Sequence, residues 1–256
     1  IEGLTIFRGS KYLQSNMLDI LHDVIAKKKV VIFGTPCQIA GIDRLIRSRA
    51  KRDDYVLVDL ICHGVPTQNL WKKYIDWGSK KYGYGKTPAV QFRAKELGWR
   101  KMHMKIEGNG KTYVMRDRED LFYRFFLLGH CFMSACYECL YRVTSAADIR
   151  VGDYWGPRYK RDRSGVSMVI AMTVRGQEIL ETLQVRGKVY LEKKDSKEYW
   201  SVQYPYNPIK PVFYEELMAD LRDESLSLEE IAEKYCRWFE QHRKVSRLYS
   251  TLKPLI

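Results

Sequence analysis

The run Val30-Val31-Ile32-Phe33-Gly34-Thr35-Pro36-Cys37-Gln38, echoed by Tyr55-Val56-Leu57-Val58-Asp59-Leu60-Ile61-Cys62-His63-Gly64-Val65-Pro66, decides the fold. Each begins as an apolar, β-branched stretch of strand length and ends in a turn of glycine, proline and cysteine. Short apolar runs bounded in this way read as strands buried in a parallel sheet. Between them, Gln38 to Arg49 sets Ile39, Ile42, Leu45 and Ile46 at helical spacing. Before them, Met17 to Ala26 does the same with Leu18, Leu21, Val24 and Ile25. Thr67 to Trp77 reads as another helix, with Thr67 as its N-cap and Leu70, Tyr74 and Trp77 facing inward. This alternation predicts an α/β fold: a parallel or mixed sheet flanked by helices.

Further along, Val90 to Ala94, Met102 to Glu107 and Thr112 to Met115 read as strands. The last two are joined by a turn at Gly108-Asn109-Gly110. Glu119 to Leu128 returns to helix, Asp148 to Tyr154 and Met168 to Val174 are strand-like, and Gln177 to Leu183 is helical. Past about Tyr204 come Pro205, Pro208 and Pro211, then two helices. The second of these opens with the capping box Ser227-Leu228-Glu229-Glu230. The expected organisation is an α/β domain over 1–204 and a C-terminal helical extension over 205–256.

At 256 residues the chain can bury a substantial core, and 45% hydrophobic with 29% charged residues excludes a disordered or fibrous class. No apolar run approaches the roughly 20 residues of a membrane span. The first residues show neither a basic start nor an apolar block, so a cytoplasmic setting is expected. The 44 basic and 31 acidic residues leave a net charge of +13, which favours anionic partners. Basic clusters are short (Lys27-Lys28-Lys29, Lys72-Lys73 and Arg158 to Arg163), with no stripe of interleaved aromatics. That argues against nucleic acid.

The six cysteines are Cys37, Cys62, Cys131, Cys136, Cys139 and Cys236. Reduced thiols in such a chain point to metal binding rather than to a disulfide framework. Cys136 and Cys139 form a C-x2-C pair, a spacing that lets two thiolates converge on one centre. Cys37 and Cys62 follow the two apolar runs at matching strand ends, where α/β sheets bind ligands. Taken singly, each is equally well a small buried hydrophobe. Cys131-x4-Cys136-x2-Cys139 has the spacing of plant-type two-iron ferredoxins. Spacing alone does not choose among a two-iron cluster, a four-iron cluster and zinc. The segment Asp148 to Gly156, ending Gly152-Asp153-Tyr154-Trp155-Gly156, suits a tight turn beside a flat ligand.

Four ordered motifs carry a resemblance. Gly34-Thr35-Pro36-Cys37-Gln38, Cys62-His63-Gly64-Val65-Pro66, Ser134 to Cys139 and Gly152-Asp153-Tyr154-Trp155-Gly156 resemble segments of the coenzyme F(420) hydrogenase/dehydrogenase beta-subunit family. Gly9-Ser10-Lys11-Tyr12-Leu13-Gln14-Ser15 is also similar to that family. The resemblance implies an iron–sulfur flavoprotein with FAD and a 4Fe–4S cluster. Such a protein would pass electrons between a ferredoxin-like module or protein and a hydride acceptor, within a larger redox complex. Carried over residue by residue, it makes Cys37, Cys62, Cys136 and Cys139 the cluster ligands. Ser10, Lys11, Gln14, Ser15, Gly34 and Thr35 become candidates for the flavin and its diphosphate. Relative to the family the chain is expected to be N-terminally truncated, without the ferredoxin module many relatives carry. The alternative from a different class is a zinc-stapled basic binding or scaffold module without redox activity.

Overall fold

The computed structural model describes residues 9–236 except 28, 50 and 118, with the backbone alone at 200–202. In chain order the elements are α1 (Leu18–Ala26), β1 (Val30–Gly34), α2 (Pro36–Arg49), β2 (Tyr55–Leu60), α3 (Gln68–Tyr82), β3 (Ala89–Gln91), β4 (His103–Gly108), β5 (Lys111–Arg116), α4 (Leu121–Leu128), β6 (Ile149–Asp153), β7 (Ser167–Ala171), α5 (Val174–Val185), α6 (Ser196–Val202) and α7 (Tyr214–Arg222). Residues 228–236 are helical as well. The chain divides into two compact units that interleave in sequence. One holds residues 14–64 and 135–208; the other holds 65–134 with the described parts of 1–13 and 209–256.

The first unit is built on a mixed sheet in the order β1-β2-β6-β7. β1 and β2 are parallel with Val30 opposite Tyr55, β2 and β6 are parallel with Asp59 opposite Arg150, and β7 runs antiparallel to β6. The alternation read from the sequence therefore gives an α/β fold. Its core gathers Val24, Ile32, Ile39, Ile42, Ile46, Tyr55, Leu57 and Ala147. Three of these are residues that the helical spacing of α2 turns inward. The Tyr55 hydroxyl sits in this apolar cluster yet donates to the carbonyls of Val24 (2.8 Å) and Lys27 (3.0 Å), so its burial leaves no bond unmade. The expectation of full burial fails for β1. It is an edge strand, and Val31 and Phe33, on the opposite side from Ile32, are 54% and 63% exposed.

The second unit packs α3, α4 and α7 with an antiparallel sheet, β3-β4-β5. Asn109 and Gly110 both take positive φ (50° and 71°), the two-residue hairpin turn that an Asn-Gly pair favours. Thr67 stands at the N-cap of α3 as expected, but its hydroxyl accepts no capping hydrogen bond. The capping box does form: the Ser227 amide donates to Glu230 Oε2 (2.7 Å) and the Glu230 amide donates to Ser227 Oγ (3.2 Å). The C-terminal extension is helical at α7 and at 228–236, and residues 237–256 lie outside the described residues.

Asp120 is the buried charge of this unit. It caps α4 by accepting the Tyr123 amide (2.8 Å) and also accepts the Tyr74 hydroxyl (2.5 Å). Burial pushes its carboxyl from 3.8 up to about 6, against the hydrogen bonds from Tyr74 and the backbone, which pull it down. The folded state thus holds this proton to higher pH than the unfolded chain does. Stability from this group is greatest below about pH 4 and falls as pH rises through about 6. Asp120→Asn keeps a capping oxygen and removes the titration. We expect wild type to lose about 2–3 kcal/mol relative to Asp120→Asn between pH 4 and pH 7.5. Denaturant titrations of both proteins across that range measure the gap, and a gap that stays flat contradicts the assignment.

Candidate metal centre

In a parallel sheet, the loops leaving the C-terminal ends of neighbouring strands share one edge. β1 ends at Gly34, and Cys37 lies in the first turn of α2, behind Pro36. β2 ends at Leu60, the Ile61 amide still donates to Val151 O (2.8 Å), and Cys62 follows at once. β6 is parallel to both and delivers Gly152-Asp153-Tyr154 to the same edge. Ile61 packs against the bare backbone there: a Cβ at Gly152 would lie 2.5 Å from Ile61 Cδ1, so the side chain would have to shift. Cys136 closes a short 3-10 turn, Ser134–Cys136, and Cys139 follows it.

The four cysteines belong to one unit, and Cys62 registers the other three. Its thiol is pushed up to about 11, first by burial, with smaller upward contributions from Cys136, Cys37 and Cys139; a bond with the Gly64 backbone works the other way. Among the described residues no three His, Cys, Asp or Glu side chains close on a single point as one metal ion requires. Four thiols on loops of one unit are the donor type of a cluster in which each thiolate bonds a different iron. On donor chemistry the four residues fit such a group.

Cys131 and Cys236 are separate. Both are buried in the other unit, where burial and then the neighbouring Cys236 raise the Cys131 thiol well above its ordinary value. No disulfide joins any of the six cysteines.

Two guanidiniums tie the cysteine loops down. Arg150 and Asp59, opposite each other on β6 and β2, form a fully buried two-point pair, with Nε and Nη2 each 2.8 Å from a carboxylate oxygen. Ser145 Oγ donates to the same carboxylate (2.7 Å). Arg150 further donates to the carbonyls of Thr144 (2.7 Å), Arg142 (3.3 Å) and Tyr141 (3.4 Å), which hold the loop after Cys139. Arg142 donates to Cys62 O (3.4 Å), His63 O (3.2 Å) and Asn207 Oδ1 (2.8 Å), while Asn207 Nδ2 donates to Cys139 O (3.1 Å). Burial, seconded by the Arg142 charge, holds the His63 imidazole below its ordinary pKa, so it stays neutral at pH 7.

The flavin candidates are distributed differently. Ser10 and Lys11 belong to the unit containing α3, and Gln14, Ser15, Gly34 and Thr35 to the unit containing the cysteines. Gln38 joins two of the latter: its amide nitrogen donates to Ser15 O (3.1 Å), and its oxygen accepts both the amide and the hydroxyl of Thr35 (each 3.0 Å). A phosphate at this turn would have to displace that oxygen, because both Thr35 donors already serve it. Lys11 Nζ donates to Gly9 O (3.2 Å).

A family model for the C terminus of the coenzyme F(420) hydrogenase/dehydrogenase beta subunit matches residues 27–197. The four cysteines, Gly34 and Thr35 fall inside the match; Ser10, Lys11, Gln14 and Ser15 fall before it. No curated protein matches the chain.

The Asp59–Arg150 pair can be tested by breaking it unevenly. Arg150→Met leaves a carboxylate in the core with one hydroxyl donor. We expect a loss of about 3–5 kcal/mol, the usual penalty for an orphaned buried charge. Asp59→Leu combined with Arg150→Met should lose less than Arg150→Met alone. Urea unfolding of the single and double variants compares them, and equal losses would mean that the unpaired carboxylate is not the source.

Proposed function

The chain belongs to the coenzyme F(420) hydrogenase/dehydrogenase beta-subunit family through that family's C-terminal region, and from this premise we propose that it is the cluster-bearing part of an iron–sulfur flavoprotein oxidoreductase. In this reading Cys37, Cys62, Cys136 and Cys139 hold a 4Fe–4S cluster. Electrons pass between a ferredoxin-like centre or partner and a hydride acceptor, F(420) or another substrate, in a larger redox complex of the cytoplasm. The observation that carries it is the bonded chain from Cys62 O through Arg142 and Asn207 to Cys139 O, which ties the end of β2 to the loop of the C-x2-C pair. Among the described residues no helix is long and apolar enough to cross a membrane.

A bound cluster would supply one-electron transfer, and a bound FAD would link it to two-electron hydride chemistry. The chain's own residues do the placing. β1 and β2 present Cys37 and Cys62 from hydrogen-bonded strand ends, and Arg150 and Arg142 hold the loop that brings Cys136 and Cys139. Burial around Cys62 lowers the local dielectric, which strengthens any charge interaction made there. The net charge of +13 favours an anionic electron-transfer partner or a phosphorylated cofactor. The flavin reading of Ser10, Lys11, Gln14, Ser15, Gly34 and Thr35 rests on the family alone.

Anaerobic reconstitution with iron and sulfide tests the reading. Wild type should retain about four irons per chain and turn brown, whereas Cys136→Ser should lose them, since serine is a poor ligand for iron in a thiolate set. Zinc in place of iron would support a zinc-stapled module, and neither metal would support a scaffold. In an FAD titration, Cys136→Ser should bind flavin nearly as wild type does. Lys11→Ala should bind it more weakly by about 1–3 kcal/mol, the worth of one charge-assisted bond. Unchanged flavin affinity in Lys11→Ala removes that lysine from the site.

A further inference from the structure

Arg142 carries an unanswered charge. It is half-buried in the loop that follows Cys139, and its acceptors are all neutral: two backbone carbonyls and the Asn207 amide oxygen. Among the described residues no carboxylate pairs with it, whereas its neighbour Arg150 is matched by Asp59. A half-buried guanidinium bonded only to neutral oxygens keeps its full positive charge to offer to an anion beside it. A cluster held by four thiolates is such an anion, and Arg142 touches the backbone of one cysteine directly and of another through Asn207.

We propose that Arg142 is a positioning residue for the cluster: with Asn207 it clips the Cys62–His63 turn to the loop carrying Cys139, and its fixed positive charge raises the cluster's reduction potential. This rests on the reading of the four cysteines given above. The clip is a continuous chain of bonds, from Cys62 O to the guanidinium, to the Asn207 amide, to Cys139 O. A planar guanidinium can serve two adjacent carbonyls and a side-chain oxygen together; a lysine ammonium supplies the charge without that fork. Reduction adds an electron to an already anionic group, so a nearby cation favours the reduced form. Charge and hydrogen bonding around the ligands are general levers on such potentials.

The two roles separate in Arg142→Gln, which loses the charge, Arg142→Lys, which keeps it, and Asn207→Leu, which loses the second half of the clip. The full chain and these variants are reconstituted anaerobically with ferrous iron and sulfide, and cluster reduction is followed by electron paramagnetic resonance during a mediated redox titration. At the wild-type midpoint, Arg142→Gln should have its ratio of reduced to oxidised cluster lowered about fivefold or more, a shift of roughly 40 mV for one electron. Arg142→Lys should stay close to wild type. Independently, Cys62 in the cofactor-free proteins is alkylated with iodoacetamide and followed by mass spectrometry. A turn freed from the clip exposes its thiol, so alkylation should accelerate severalfold in Arg142→Gln and Asn207→Leu. An Arg142→Gln midpoint equal to wild type overturns the tuning, and equal alkylation rates in all four proteins overturn the clip. If wild type takes up no iron, the cluster reading falls and the tuning with it, and the alkylation comparison then decides the clip by itself.

Discussion

The buried pair between Asp59 and Arg150 is the constraint on which the cysteine-bearing unit depends. Two opposite charges face each other on adjacent parallel strands, both essentially without solvent contact. Taking them out of water would be prohibitive singly, and the pair is tolerable because its remaining donors and acceptors are satisfied. The carboxylate takes Ser145 as a third donor, and the guanidinium reaches three carbonyls of the loop 141–144. An apolar pair of the same size could hold the strands together. It could not hold that loop, whose carbonyls would then lose these charge-assisted donors. The ion pair therefore joins the sheet to the segment that carries half of the cysteine set.

This divides the four thiols into two classes by what fixes them. Cys37 and Cys62 stand three and two residues past strands whose ladders set their positions; Thr35 Oγ1 also lies 3.3 Å from Cys37 Sγ. Cys136 and Cys139 lie in irregular chain, where backbone groups need partners from elsewhere. Asn207 supplies one to the Cys139 carbonyl, and Arg150 supplies others to the carbonyls of 141, 142 and 144 that follow. A second ion pair, Asp148 with Arg52, lies two residues before Arg150 at the start of β6. Asp148, at the start of β6, accepts the Leu57 amide (2.9 Å), Arg52 (3.0 Å) and the Thr173 hydroxyl (3.1 Å), registering β6 against β2. The start of β6 is thus fixed to β2 by two neighbouring acid–base contacts, Asp148 with Arg52 and Arg150 with Asp59.

Much of the fold could be read from periodicity because its signals are local. The apolar runs at Val30 and Tyr55, the helical spacing of Ile39, Ile42 and Ile46, the Asn109-Gly110 turn and the Ser227–Glu230 box each act over a few residues, and each is found in place. What periodicity misjudged was sheet position. Val30 to Phe33 has the composition of a central strand, yet β1 lies at an edge and leaves Val31 and Phe33 exposed, because strand order is settled by pairings far apart in sequence. Likewise Thr67 has the right residue type for a cap, but its hydroxyl does not bond the helix.

The site was legible only in its thiols, since C-x2-C spacing and cysteines after strands are patterns a single stretch can display. Arg142, Arg150 and Asn207 went unread for a physical reason: an arginine that binds carbonyls leaves no motif, because any backbone can be its partner. One signal was nonetheless present. Asp59 stands in Val56-Leu57-Val58-Asp59-Leu60-Ile61 as a lone charge in an apolar strand, and Arg150 stands between the apolar Ile149 and Val151 of β6. Two such intrusions of opposite sign, on strands that are each otherwise fit for burial, are unstable apart and tolerable together. They therefore argue that β2 and β6 are neighbours despite the long stretch of chain between them. That inference yields the centre of the sheet, and with it the edge where the cysteines gather, from charge alone.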